Sequence, residues 1–264
     1  CICQYGCEFW LCYYSTSSSN SAYIQRFVVD QNGILRRPQD GVAQSTSSLS
    51  NPIALTSFAF ITDVQCAAGV TYALSNDGHF YTSLATGSSS FFALASASYR
   101  FSIGNDKLYV GRNDKIVSVY RLSTQTLISS VTLSFPTAVT VMDVKLFHEI
   151  LLVVYGGGGN NGDRIATYNV TNSSSMTLVQ QIDFQFNSNG GSNSTTDTDV
   201  ACGIVAHPTE NIAYITSTNN VNTEIRLSCV KFNGDGSGLQ IYSVIAVPVT
   251  VNSVYNGGVA SFNP

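Results

Sequence analysis

The stretch Gly203-Ile-Val-Ala-His207-Pro208-Thr-Glu-Asn211-Ile-Ala-Tyr214-Ile-Thr-Ser217, followed by Glu224-Ile-Arg-Leu-Ser-Cys-Val-Lys-Phe232, decides the reading of this chain. Its apolar and β-branched runs are each strand length, and polar turns separate them. A Gly-rich hairpin at Asn233–Gly238 and the run Leu239–Val247 complete the unit. The pattern predicts four antiparallel strands in sequential order, here A to D. No stretch carries the sustained 3.6-residue apolar period of an amphipathic helix.

The same register recurs upstream. Tyr99–Ile103, Lys107–Val110, Lys115–Arg121 and Leu127–Leu133 read as one set, and Val141–Leu146, Ile150–Tyr155, Arg164–Val170 and Thr177–Phe186 as another. Phe60–Cys66, Val70–Ser75, His79–Ala85 and Phe91–Ala95 give a third. Tyr72, Tyr109, Val153 and Tyr214, taken as equivalent, are about 37, 44 and 61 residues apart, a spacing that suits propeller blades with loops of varied length.

Near the start, Phe9–Ser15, Ala22–Asp30 and Ile34–Arg37 read as strands B, C and D without an A. Near the end, Gly257–Phe262 reads as a strand A alone. Joined, they would form a blade shared by both termini and close the ring, which removes exposed sheet edges. The fold expected is therefore an all-β propeller of about five four-stranded blades over residues 9–264, preceded by a Cys-rich segment, residues 1–8.

Composition bounds the setting. Only 11% of the 264 residues are charged, while 44% are hydrophobic. Ser and Thr supply roughly a fifth of the chain, against a charged share of about 25% in ordinary soluble domains. Solubility must then rest on hydroxyls, amides and glycans, which points outside the cell. The net charge is −4 and Arg36-Arg37 is the single basic doublet, so no stripe could track a nucleic-acid backbone. No apolar run reaches the ~20 residues of a membrane-spanning helix. Without an initiator Met or signal peptide, the chain reads as processed or as part of a longer precursor.

Four of the seven cysteines, Cys1, Cys3, Cys7 and Cys12, crowd the N-terminus. In a secreted chain they are disulfide candidates. Zinc would want paired Cys-x-x-Cys or Cys/His spacing, and free thiols stay open as an alternative. The odd total leaves at least one thiol free or paired with another chain.

Candidate chemistry is sparse. Asp63, Asp143 and Asp199 are each followed by Val and lie at or just before A strands. If A strands line a central channel, these carboxylates could act as a glycosidase acid and its base or nucleophile, or hold a cation. They could equally brace neighbouring blades through their backbones. His148 and His207 occupy matching A–B turns, which suggests structural corners; His79 begins a C strand with no obvious partner. Gly156–Gly159 lacks the ending and the helix of a phosphate loop. Asn233–Gly238 holds fragments of a calcium loop without its ligand ladder. Gly-x-Ser-x-Gly is absent. No cofactor and no metal are expected. Asn169, Asn172 and Asn193 open Asn-x-Ser/Thr sequons and are glycosylation candidates.

Two resemblances add to this reading. Ala206–Asn211 before a Tyr-containing strand, with Phe232-Asn-Gly-Asp-Gly-Ser-Gly238 after the third strand, resembles the lactonase-type or YVTN-type propeller repeat over Ala201–Val247. It implies a fold and no particular activity. Cys1-Ile-Cys3-Gln-Tyr-Gly-Cys7 resembles the tail of an EGF-like module, which implies a cell-surface or fibre setting such as the hair-like appendages (mastigonemes) of flagellated algae. The expected function is that of a non-enzymatic extracellular glycoprotein domain acting in assembly or adhesion, with other protein subunits, its own copies included, as partners. The alternatives are a carbohydrate-active enzyme using the three aspartates and a small-ligand lectin.

Overall fold

A computed structural model describes residues 2–5, 8–15, 21–32, 34–36, 53–54, 61–67, 70–82, 90–94, 98–134, 140–156, 163–172, 174–184, 199–207, 209–219 and 224–248. The chain divides into two compact units, one built on Cys1–Tyr99 and one on Arg100–Val259. All regular structure among the described residues is β.

In the first unit, β1 (Ile2–Tyr5), β2 (Glu8–Ser15), β3 (Ser21–Val29) and β4 (Leu35–Arg36) form a sheet in that order, and β5 (Ile53–Ala54) adds to β3. A second sheet orders β6 (Ile61–Ala67), β7 (Val70–Ser75), β8 (His79–Thr82) and β9 (Ser90–Ala93). The second unit carries three four-stranded meanders. They are β10 (Ser98–Gly104) to β11 (Lys107–Arg112), β12 (Ile116–Arg121) and β13 (Thr126–Thr132); β14 (Thr140–Phe147) to β15 (Ile150–Gly156), β16 (Asp163–Asn169) and β17 (Thr177–Phe184); and β18 (Asp199–Ala206) to β19 (Ile212–Asn219), β20 (Glu224–Lys231) and β21 (Gln240–Pro248).

Among the described residues four blades are thus present where the sequence predicted about five. The N-terminal sheet departs from the blade plan. Its first strand is β1, from the Cys-rich segment, paired antiparallel with β2 through Ile2–Leu11 and Tyr5–Glu8. Its cysteines mark residues 1–8 as a Cys-rich segment in the sequence, and four residues are too few to show a strand's alternation. The expected partner strand Gly257–Phe262 lies outside the described residues, as do the ends of several predicted strands.

Side-chain alternation explains the stacking inside the second unit. All seven residues of β15 are buried. Successive side chains of a strand leave on opposite faces. Leu151, Val153 and Tyr155 join a core with Tyr109, Val117 and Val119 of the β10–β13 sheet. Leu152 and Val154 join a separate core with Ile204, Ala213, Ile215 and Val230 of the β18–β21 sheet. One continuous apolar strand therefore seals two interfaces.

Bulges recur at matching places. The register slips between Ile61 and Asp63, Val141 and Asp143, and Ala201 and Gly203 on first strands. It slips again between Val119 and Tyr120, Thr167 and Tyr168, and Cys229 and Val230 on third strands. Each such slip increases local twist and re-aims a side chain. The first-strand series positions Asp63 and Asp143.

Candidate functional site

Asp143 sits on the β14 bulge and is almost fully buried, at 4% exposure. Its Oδ1 accepts a hydrogen bond from the Val144 backbone N–H at 2.8 Å. Its Oδ2 accepts from the Ile204 N–H of the next sheet at 2.6 Å. A buried carboxylate is costly unless it is hydrogen-bonded, and charge-assisted bonds to N–H donors are short and strong. Oδ1 is used within β14, and Oδ2 ties one sheet to the next. Ser102 performs the equivalent task one sheet earlier, its Oγ accepting from the Leu146 N–H at 3.0 Å.

Asp63 occupies the matching bulge of β6, with Oδ1 accepting from the Val64 N–H at 2.9 Å and Oδ2 from Gln65 Nε2 at 3.2 Å. Asp199 does not match. It opens β18 opposite Asn219, and the bulge of that strand comes four residues later, at Gly203. The three Asp-Val dipeptides are thus not equivalent positions, because strand pairing sets the register. The residue equivalent to Asp143 is Gly203, whose absent Cβ would stand 3.7 Å from Asp143 Oδ2.

A second polar group was not foreseen. Ser75, Asp77 and His79 meet in the turn between β7 and β8. His79 Nδ1 lies 2.8 Å from Asp77 Oδ1, so His79 has a partner two residues back. The Ser75 hydroxyl bonds the same carboxylate and takes the His79 N–H at 3.2 Å. Burial opposes the Asp77 charge most strongly, but bonds from Ser75 and His79 prevail and hold its carboxyl below the usual range. The trio has the residue types of a hydrolytic triad in the wrong order. Both Ser75 and His79 address the carboxylate, whereas a nucleophile must be hydrogen-bonded to its base. Ser75 is fully buried besides. The arrangement braces a turn.

The other histidines also sit in turns. His148 has a positive φ of 51° between β14 and β15. His207 Nδ1 accepts from the Glu210 N–H at 3.2 Å.

The Asn233–Gly238 loop is occupied by its own bonds. Asp235 Oδ1 accepts from the Ser237 N–H at 2.9 Å and the Ser237 hydroxyl at 2.7 Å, which hold its carboxyl below the usual range. Gly236 has φ +86°, a conformation L side chains rarely adopt, and its carbonyl accepts from Thr167 Oγ1 of the preceding sheet at 2.7 Å. Gln180 there accepts from the Leu239 N–H at 2.9 Å and donates to its carbonyl at 3.2 Å, imitating a ladder bridge. This loop is a clasp between sheets. Among the described residues no group of three or more His, Cys, Asp or Glu could hold a metal ion.

Asn172 is exposed in the turn before β17, its Oδ1 accepting from the Ser174 N–H at 3.0 Å. Asn169 is half-buried at the end of β16. Asn193, Cys1, Cys7 and most of the Gly156–Gly159 tract lie outside the described residues. Cys3 lies on β1 and Cys12 on β2. No helix among the described residues is long and apolar enough to cross a membrane.

No protein-family model matches the chain, and no curated protein matches it by sequence. Solved structures do. The chain is similar to the WD40 domain of coronin from Toxoplasma gondii, with a TM-score of 0.58 at 12% identity over 95% of this chain and 68% of that one. It is similar to the β-propeller domain of Cps50 (Swd1) from Myceliophteria thermophila, with a TM-score of 0.53 at 12% identity over 89% and 72%. U3-55K gives a TM-score of 0.50 at 10% identity over 72% of this chain, which spans about half (52%) of that structure. At such identities the likeness concerns the fold alone, and that fold is the β-propeller.

Proposed function

We propose that this chain is a non-enzymatic domain of an extracellular glycoprotein that acts in assembly or adhesion, as a subunit of a fibre. The observation that carries the reading is Asp143. The buried carboxylate that an enzymatic reading would put to work has both oxygens on backbone N–H groups. A glycosidase needs two carboxyl groups facing a sugar, and Asp199 stands off the bulge position that Asp143 holds.

The low charge density supports a role carried by polar and apolar surface contact. Glycans at Asn169, Asn172 and Asn193 and disulfides among Cys1, Cys3, Cys7 and Cys12 belong to the same proposal. Of the two described acceptors, Asn172, exposed in its turn, is better presented than half-buried Asn169.

The test is electron microscopy and peptide mass spectrometry of secreted protein, with a parallel oligosaccharide hydrolysis panel. Ordered polymers and glycan at Asn172 are the expected results. Hydrolysis that disappears in Asp143→Asn, or single particles carrying no glycan at any sequon, would overturn the proposal.

A further inference from the structure

Outer strands of a meander leave one row of backbone N–H and C=O groups without a ladder partner. Natural proteins protect such edges by shortness, by charge or by proline. The last strands of the five sheets differ in this respect. β4 has two residues and β9 four. β17 carries Asp183, whose Oδ1 holds Arg164 at 3.0 Å. β13 has no charge but is mostly Ser and Thr.

β21 is the least protected. It runs nine residues, and no described strand pairs with its outer side. The segment Ile241–Val247 (IYSVIAV) has no charge, no proline and no glycine, and six of its seven residues are β-branched, aromatic or Ala. Seven-residue segments of this kind are the sequence signature of strand-to-strand self-pairing. Tyr242 and Ile245 are 65% and 63% exposed. Lys231 lies 3.8 Å from the centroid of the Tyr242 ring at the beginning of the strand, and Arg226, opposite Ala246, is buried.

We infer that β21 is a homotypic joint: two copies of this chain pair antiparallel through their β21 edges, joining two four-stranded sheets into one of eight. The occupant is a second copy because identical strands meeting about a two-fold axis place like residues near one another. Any charge on the strand would repel its twin, and β21 has none. The added ladder bonds supply affinity, and Ile245 and Tyr242 supply apolar contact. The inference rests on the proposed assembly role and specifies its surface.

The test is sedimentation velocity of the secreted full chain across concentration, with hydrogen exchange on the same samples. The variants are Ile245→Lys and Tyr242→Lys, with Leu127→Lys on β13 as the control at another exposed position on a last strand. The wild type should dimerise and gain protection of the β21 amides with concentration. Each β21 variant should weaken dimerisation at least tenfold, about 1.4 kcal/mol, with an unchanged melting temperature, while the control associates like the wild type. Assembly that persists in both β21 variants overturns the joint and leaves the assembly role standing. A wild type that stays monomeric overturns both. So does the joint fail if the β21 amides are already protected in the dilute monomer, which would mean that this chain itself covers the edge.

Discussion

β15 and β21 are both apolar strands of comparable length, Ile-Leu-Leu-Val-Val-Tyr-Gly against Gln-Ile-Tyr-Ser-Val-Ile-Ala-Val-Pro, yet one is buried throughout and the other has residues more than 60% exposed. The difference is positional. β15 is second in its sheet, with a strand on each side and an apolar core on each face. β21 is last in its sheet. Hydrophobicity alone therefore does not tell a strand that holds the fold together from one that offers an edge; place within the meander decides.

The sharpest way to break this comparison is truncation. Leu152→Ala on β15 removes a fully buried side chain from the core that this sheet shares with the β18–β21 sheet. It should cost roughly 2–5 kcal/mol, read from the midpoint and slope of urea denaturation. A loss below about 1 kcal/mol would show that β15 is not central to the stack.

Next in size is Asp143→Asn. The amide keeps one acceptor and turns a donor toward an N–H that needs an acceptor. Leaving a buried donor unmatched costs about 1–3 kcal/mol. Hydrogen exchange should locate the loss at the Ile204 and Val144 amides, and a change confined elsewhere would contradict the strap.

Alkali sharpens the picture of the core that β15 shares with β11. Burial pushes the Tyr109 phenol up to about 12, and moves Tyr168 in the same direction. A raised value in the folded state means stability is complete below the ordinary phenol value near 10 and falls as pH rises through about 12. Melting followed with the tyrosinate absorbance at 295 nm should show unfolding and ionisation together in that window. Tyr109→Phe should shift the alkaline loss upward.

The smallest effect expected is Ile245→Ala. An exposed strand side chain should change stability by no more than about 0.5 kcal/mol in either direction. A larger loss in the monomer would mean that Ile245 packs within its own chain and that the contrast with β15 is one of degree.

Much of the fold was legible. Strand-length runs of β-branched and aromatic residues, bounded by turn residues, located every strand of the three meanders in the second unit to within a few residues, since Asn-Asp at 105–106 and Gly-rich Asn233–Gly238 leave few other conformations. β1 was hidden, because Ile2–Tyr5 is too short to show a period beside four cysteines. The site was less legible. Asp143 and Asp199 carry the same dipeptide signal, but the bulge that gives a first-strand aspartate its task is a property of pairing and leaves no local mark. Nor could sequence show that His79 turns back to Asp77, since that contact needs the tight curl of the turn.

The Asp143 strap has a consequence for how such a chain changes over time. Its far end is a main-chain N–H, which every residue except proline provides. The bond therefore asks nothing of the side chain at position 204, and the Ser102 strap asks nothing of the one at 146. A joint blind to its neighbour's identity lets a whole sheet be duplicated, exchanged or allowed to diverge without a matching mutation next door.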